Sequence, residues 1–103
     1  FSQGAMMIFE LGKYMNETFS GCALLSGRVL PSDNYKNNKF IKTPIIIIHG
    51  DKDSVLEPKY FEESCNILNN QGYLYESHLI NELDHTISQQ TVDLTKKFIK
   101  KNL

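Results

Sequence analysis

Pro44-Ile45-Ile46-Ile47-Ile48-His49-Gly50-Asp51-Lys52-Asp53 is the stretch on which the fold turns. Four consecutive β-branched residues favour an extended chain, and they do not alternate with polar ones. A strand of this kind has to be covered on both faces, as happens in the middle of a parallel sheet. Residues just past the C-terminal end of such a strand lie where ligands and reacting groups collect in open α/β sheets. Asp51 and Asp53 fall there. Either can equally be a turn residue, because aspartate readily bonds its own local backbone.

Other elements can be placed outward from this strand. Gln3 to about Thr18 reads as a helix that is apolar almost all round, through Ala5, Met6, Met7, Ile8, Phe9 and Leu11, and is expected to be buried. Gly21–Leu25 reads as a short strand, and Arg28–Lys42 as a polar excursion of unusual length. Glu57-Pro58 opens a helix, with Pro58 in its first turn. Phe61, Cys65 and Leu68 form the apolar stripe of that helix, and Gln71-Gly72 stops it. A further strand lies within Tyr73–Ile80, and a final helix runs from about Ser88 to Asn102 with Val92, Thr95, Phe98 and Ile99 on one face. Helices interspersed with strands imply a parallel sheet covered on both sides.

The 103 residues allow one domain at most, and the composition is that of an ordinary globular protein, with 41% hydrophobic and 22% charged residues. A net charge of −1 gives no electrostatic reason to expect a nucleic-acid partner. Lys96, Lys97, Lys100 and Lys101 suit the C-terminal turns of a helix better than a binding patch. No stretch approaches the ~20 apolar residues of a membrane span, and the first residues lack the marks of a secretory leader. Cys22 and Cys65, both among apolar neighbours, read as buried free thiols in a reducing compartment, hence a cytoplasmic protein.

Three side chains stand where chemistry could occur. Ser2, in Phe1-Ser2-Gln3-Gly4, sits at the start of the first helix, where a serine is either a simple cap or an exposed nucleophile. Asp53 follows the isoleucine strand and could orient an imidazole. His85, in Asp84-His85-Thr86, follows the next strand and could shuttle a proton near neutral pH. His78 reads as structural, and His49 as a packing or hydrogen-bonding residue. Singly, each of the three has an ordinary explanation. Together they run in the order Ser, Asp, His, the chain order of α/β-hydrolases.

On Phe1-Ser2-Gln3-Gly4-Ala5-Met6, Leu25-Ser26-Gly27, Pro44 through Asp53 with Glu57-Pro58, and Asp84-His85, the chain resembles the bacterial phospholipase/carboxylesterase family, relatives of the acyl-protein thioesterases. The resemblance covers essentially the whole chain. It implies the C-terminal portion of an α/β-hydrolase, a parallel three-stranded sheet flanked by helices. Residues 1–103 would be a partial domain that begins at the nucleophile elbow, with the N-terminal half absent. It further implies a serine hydrolase of carboxylic ester or thioester bonds, with Ser2 as nucleophile, Asp53 as triad acid, His85 as general base and the Gln3 N–H in the oxyanion hole. Neither a metal nor an organic cofactor is implied, and the partner is a small-molecule or lipid ester. The sequence departs from the family in carrying Asp84 where a glycine usually precedes the histidine. That adds a carboxylate beside the base and alters its loop.

Without a neighbouring strand, Gly21–Leu25 would be an exposed edge, and Met6, Met7, Ile8 and Phe9 would be partly wet. The chain is then expected to self-associate or to pair with a missing N-terminal segment, and to be weakly active or inactive alone. The alternative is a non-catalytic remnant of a hydrolase gene, or a binding module.

Overall fold

The computed structural model describes residues 1–31 and 38–103. Helix α1 (Gln3–Met15) leads into strand β1 (Cys22–Leu25), and a single 3-10 turn (Lys39–Lys42) precedes β2 (Ile45–Gly50). Then follow α2 (Lys59–Asn70), β3 (Tyr75–Ile80) and α3 (Gln89–Asn102). The three strands form one parallel sheet in the order β1-β2-β3, with Leu24 opposite Ile47 and Ile47 opposite Ser77. The middle part of the expected 28–42 excursion lies outside the described residues.

The isoleucine run does what its pattern demands. Ile45 and Ile47 join a core with Leu24, Phe9, Phe61 and Leu68 under α1 and α2. Ile46 and Ile48 point the other way, into a second core with Ile80 and Phe98 under α3. All six residues of β2 are buried. Helix α3 begins with a capping box, in which the Ser88 hydroxyl accepts from the Thr91 N–H and Thr91 reaches back to Ser88. Gly72, at φ 83°, adopts the left-handed turn that ends α2.

Several local expectations are corrected. Helix α1 is not buried all round: Ala5 and Phe9 are 1% exposed, while Met7, Ile8, Leu11, Tyr14 and Met15 face outward. One flank rests on β1, and nothing among the described residues covers the other. Phe9 is therefore dry, because its ring packs edge-on against Phe40 and beside Tyr73. The helix stops at Met15, since Asn16 takes the left-handed conformation and donates its N–H to the Lys13 carbonyl. Pro58 flanks α2 rather than lying in its first turn. Cys65 is only half-buried, Ser64 taking the innermost position of that helix, where its hydroxyl accepts the Val29 N–H at 2.8 Å. On α3 the covered face is Thr91, Leu94 and Phe98, with Ile99 turned outward.

Gly50, the last residue of β2, lies against the loop that follows β3. A Cβ placed there would come within 2.1 Å of the Leu83 carbonyl oxygen, which is backbone and cannot swing aside. Gly50→Ala should therefore lower stability by about 1–3 kcal/mol, as overpacking does. Urea unfolding measures it, and a variant as stable as its parent would contradict the close approach.

Candidate active site

Ser2 occupies the turn between the rim of the sheet and α1. Its N–H donates to the Leu25 carbonyl at the end of β1, at 2.8 Å. Its backbone sits at φ 55°, ψ −124°, a region that costs a non-glycine residue about 1–3 kcal/mol. The surroundings enforce it: a Cβ on Gly27 would meet the Ala5 Cβ at 2.8 Å and the Ser2 carbonyl oxygen at 2.9 Å. Although Ser2 stands at the N-cap position, its side chain makes no capping bond. The hydroxyl is turned instead to His85, with Ser2 Oγ 2.9 Å from His85 Nε2.

Asp53 lies three residues beyond the end of β2, its side chain wholly buried. Oδ1 accepts the N–H groups of Val55 at 2.9 Å and Leu56 at 2.8 Å. Oδ2 faces two imidazoles, His85 Nδ1 at 2.8 Å and His49 Nε2 at 3.3 Å. Burial pushes this carboxyl up, but the Leu56 N–H, His85, the Val55 N–H and His49 together outweigh it and hold Asp53 below the ordinary carboxylate range.

His85 stands in the loop between β3 and α3. A carboxylate can only accept, so a neutral His85 carries its proton on Nδ1 and leaves Nε2 to accept from the Ser2 hydroxyl. The Phe1 ring lies 4.9 Å from the imidazole, tilted across it. Ser2, His85 and Asp53, far apart in sequence, thus form one hydrogen-bonded line at the C-terminal rim of the sheet. A serine hydroxyl in such a line can lose its proton to the imidazole as it attacks an electrophile. The Gln3 N–H is the first amide of α1, one of the helix-start donors that have no carbonyl one turn earlier to bond. A cleft of about 440 Å³ opens beside Ser2, lined by Gln3, Met6, Val55 and Leu56 among others.

The sequence reading left the partners of three residues unspecified. His49, read as a packing or hydrogen-bonding residue, does both: Nε2 donates to the Leu56 carbonyl at 2.8 Å while also facing Asp53, and Nδ1 is buried with no hydrogen-bond partner among the described residues. Asp51 reaches across to the Glu82 N–H at 2.7 Å, and Asp84 makes three bonds of its own. His49-Gly-Asp-Lys-Asp53 did put the second imidazole four residues from Asp53, but not its aim. His78 lies elsewhere on β3, paired with Glu76 at 2.9 Å. Among the described residues no group of three or more His, Cys, Asp and Glu is placed to hold a metal ion, and no helix is long and apolar enough to cross a membrane.

The family described as phospholipase/carboxylesterase matches this chain over residues 1–103. The chain belongs to the phospholipase/carboxylesterase family, a family of hydrolases. Within it, the chain is similar to acyl-protein thioesterase 1 homolog 1 of Dictyostelium discoideum, with 34% identity over 105 residues, covering 100% of this chain and 46% of that protein. Acyl-protein thioesterase 1 of Saccharomyces cerevisiae is 29% identical over 113 residues, covering 100% of this chain and 48% of that protein. Among solved structures, esterase PE8 superimposes with a TM-score of 0.88 at 29% identity, covering 100% of this chain and 48% of its own. Arabidopsis thaliana SOBER1 gives a TM-score of 0.88 at 25% identity, over 98% and 50% of the two chains. This phospholipase/carboxylesterase chain spans about half the length of the curated relatives it matches.

The lowered Asp53 carboxyl makes a prediction about pH. A carboxyl held below its unfolded value of about 3.9 adds stability above that value and loses it as pH falls through the folded value. The stability difference between the parent and Asp53→Asn should hold steady from pH 7 to about 5 and then shrink on further acidification. Chemical denaturation at a series of pH values measures it, and a difference independent of pH would contradict the assigned carboxylate.

Proposed function

We propose that this chain carries the nucleophile, base and acid of a serine hydrolase acting on carboxylic ester or thioester bonds. The observation that carries the reading is the continuous line of hydrogen bonds from the Ser2 hydroxyl through both nitrogens of His85 to the buried Asp53 carboxylate. Ser2 Oγ bonds to the acyl carbon while its proton passes to His85 Nε2. Asp53 holds the imidazole in the required tautomer and stabilises its cation. The Gln3 N–H, at the positive end of α1, faces the developing oxyanion. Collapse expels the alcohol or thiol, which takes the proton from His85. Water then attacks the acyl-enzyme, delivering its proton to His85, which returns it to Ser2 Oγ as the acid leaves. Similar proteins named acyl-protein thioesterase and esterase support this choice of bond. The cleft beside Ser2, with Met6, Val55 and Leu56, suits an apolar acyl group.

We place the protein in the cytoplasm, a reading that both cysteines support as free thiols. The described residues form the C-terminal portion of a hydrolase domain, and full activity requires sequence equivalent to the remainder of the longer relatives. Among the described residues no strand pairs with the outer edge of β1 and nothing covers the apolar flank of α1, which supports that reading. Each apolar side chain left in water there forgoes roughly 1.5–3 kcal/mol, which favours self-association or pairing with a complementary N-terminal segment.

Hydrolysis of a short-chain p-nitrophenyl ester tests the proposal. The chain should show slow turnover that Ser2→Ala reduces to the uncatalysed background, with a deficit of about 10²–10³ for each oxyanion donor that is missing. Turnover unchanged by Ser2→Ala would overturn the mechanism in favour of a non-catalytic remnant. Fast Ser2-dependent turnover would overturn only the claim of weak activity.

A further inference from the structure

Two loops carry the acid and the base. The loop after β2 brings Asp53, and the loop after β3 brings His85. Their roots are laced together by the Asp51 N–H to the Ile80 carbonyl, the Lys52 N–H to the Leu83 carbonyl, both at 2.9 Å, and the Asp51 carboxylate on the Glu82 N–H at 2.7 Å. Nearer their tips, these bonds give out and a different group takes over. Asp84 Oδ1 accepts the Ser54 N–H at 2.8 Å, the Ser54 hydroxyl at 2.9 Å and the His85 N–H at 2.7 Å. Ser54 and His85 are the chain neighbours of Asp53 and Asp84, so one oxygen ties the residue after the acid to the backbone of the base.

We propose that Asp84 is a positioning residue whose carboxylate pins the Ser54 backbone to the His85 backbone and so fixes the distance between Asp53 and the His85 imidazole. Three donors converging on one ionised oxygen make charge-assisted bonds, roughly twice as strong as neutral ones. The Asp84 side chain is exposed and its loop is otherwise held at its root, so the clamp is separable from the fold. The reacting atoms are untouched by it. Its effect reaches them only through the His85 main chain, and misplacement by about 1 Å at such a site can cost on the order of 10²-fold in rate. This kinetic part rests on the hydrolase reading above, whereas the effect on His85 geometry does not.

The experiment follows the His85 Nδ1 proton by NMR in histidine-labelled protein, alongside ester hydrolysis and thermal melting. The parent should show a downfield Nδ1 proton protected from exchange by Asp53. Asp84→Gly should abolish or broaden that resonance and lower kcat about 10- to 100-fold with little change in KM, while the melting temperature moves by only a few degrees. Asp84→Asn, which keeps an acceptor oxygen, should restore most of the signal and the rate. Ser54→Ala, which removes a single donor, should fall between and serves should Asp84→Gly not fold. An Asp84→Gly protein with the parental resonance, exchange rate and kcat would overturn the clamp. So would an Asp84→Gly protein that is no worse than Asp84→Asn. If the parent shows no Ser2-dependent turnover yet the resonance responds to Asp84 as described, the hydrolase reading falls and the clamp stands.

Discussion

A strand buried on both faces hands its chain to the solvent at one rim only, and Ile45–Gly50 is such a strand. Its alternate isoleucines fill two separate cores, so a helical layer must lie on each side, and its neighbours must run parallel to bring those helices back. Parallel strands all end at the same edge. The close of β1 binds the Ser2 turn, the close of β2 leads to Asp53 and the close of β3 leads to His85. Residues separated by most of the chain meet because the sheet leaves their loops nowhere else to go.

Convergence at a rim gives proximity but not the 2.8 and 2.9 Å spacings of the hydrogen-bonded line. Those come from local constraints that are individually unfavourable. Ser2 is held in a strained backbone conformation by the close approach of Gly27, and Gly50 allows the His85 loop to press against the end of β2. Asp53 is buried, which alone would favour its neutral form, yet two backbone N–H groups and two imidazoles keep it ionised. An ionised, fully enclosed carboxylate has one orientation, and that orientation is what it passes on to His85.

Much of this was legible in the residues. The unbroken isoleucine run specified a covered parallel strand, and the order Ser, Asp, His along the chain named the side chains that the fold brings together. What was not legible has a common physical origin, since a one-dimensional pattern shows which side chains are apolar but not which are covered. Helix α1 looks apolar on all sides, yet only the flank carrying Ala5 and Phe9 meets the sheet. Ile99 fits the helical spacing of α3 but lies one step outside the face defined by Thr91 and Phe98. The partners of Asp84 and Asp51 were hidden for a related reason. Each acts across a gap between loops, and loop approach is set by tertiary contacts such as that between Gly50 and Leu83 rather than by any local periodicity.

The central claim is that the Ser2 hydroxyl is activated by the imidazole it faces. Labelling with a fluorophosphonate, followed by mass spectrometry of the digested chain, addresses that claim without requiring turnover or a known substrate, because only an activated serine reacts quickly. The adduct should form on Ser2 alone, and the rate should collapse in His85→Ala. Labelling that is absent, that is spread over several serines, or that is indifferent to His85 would contradict it.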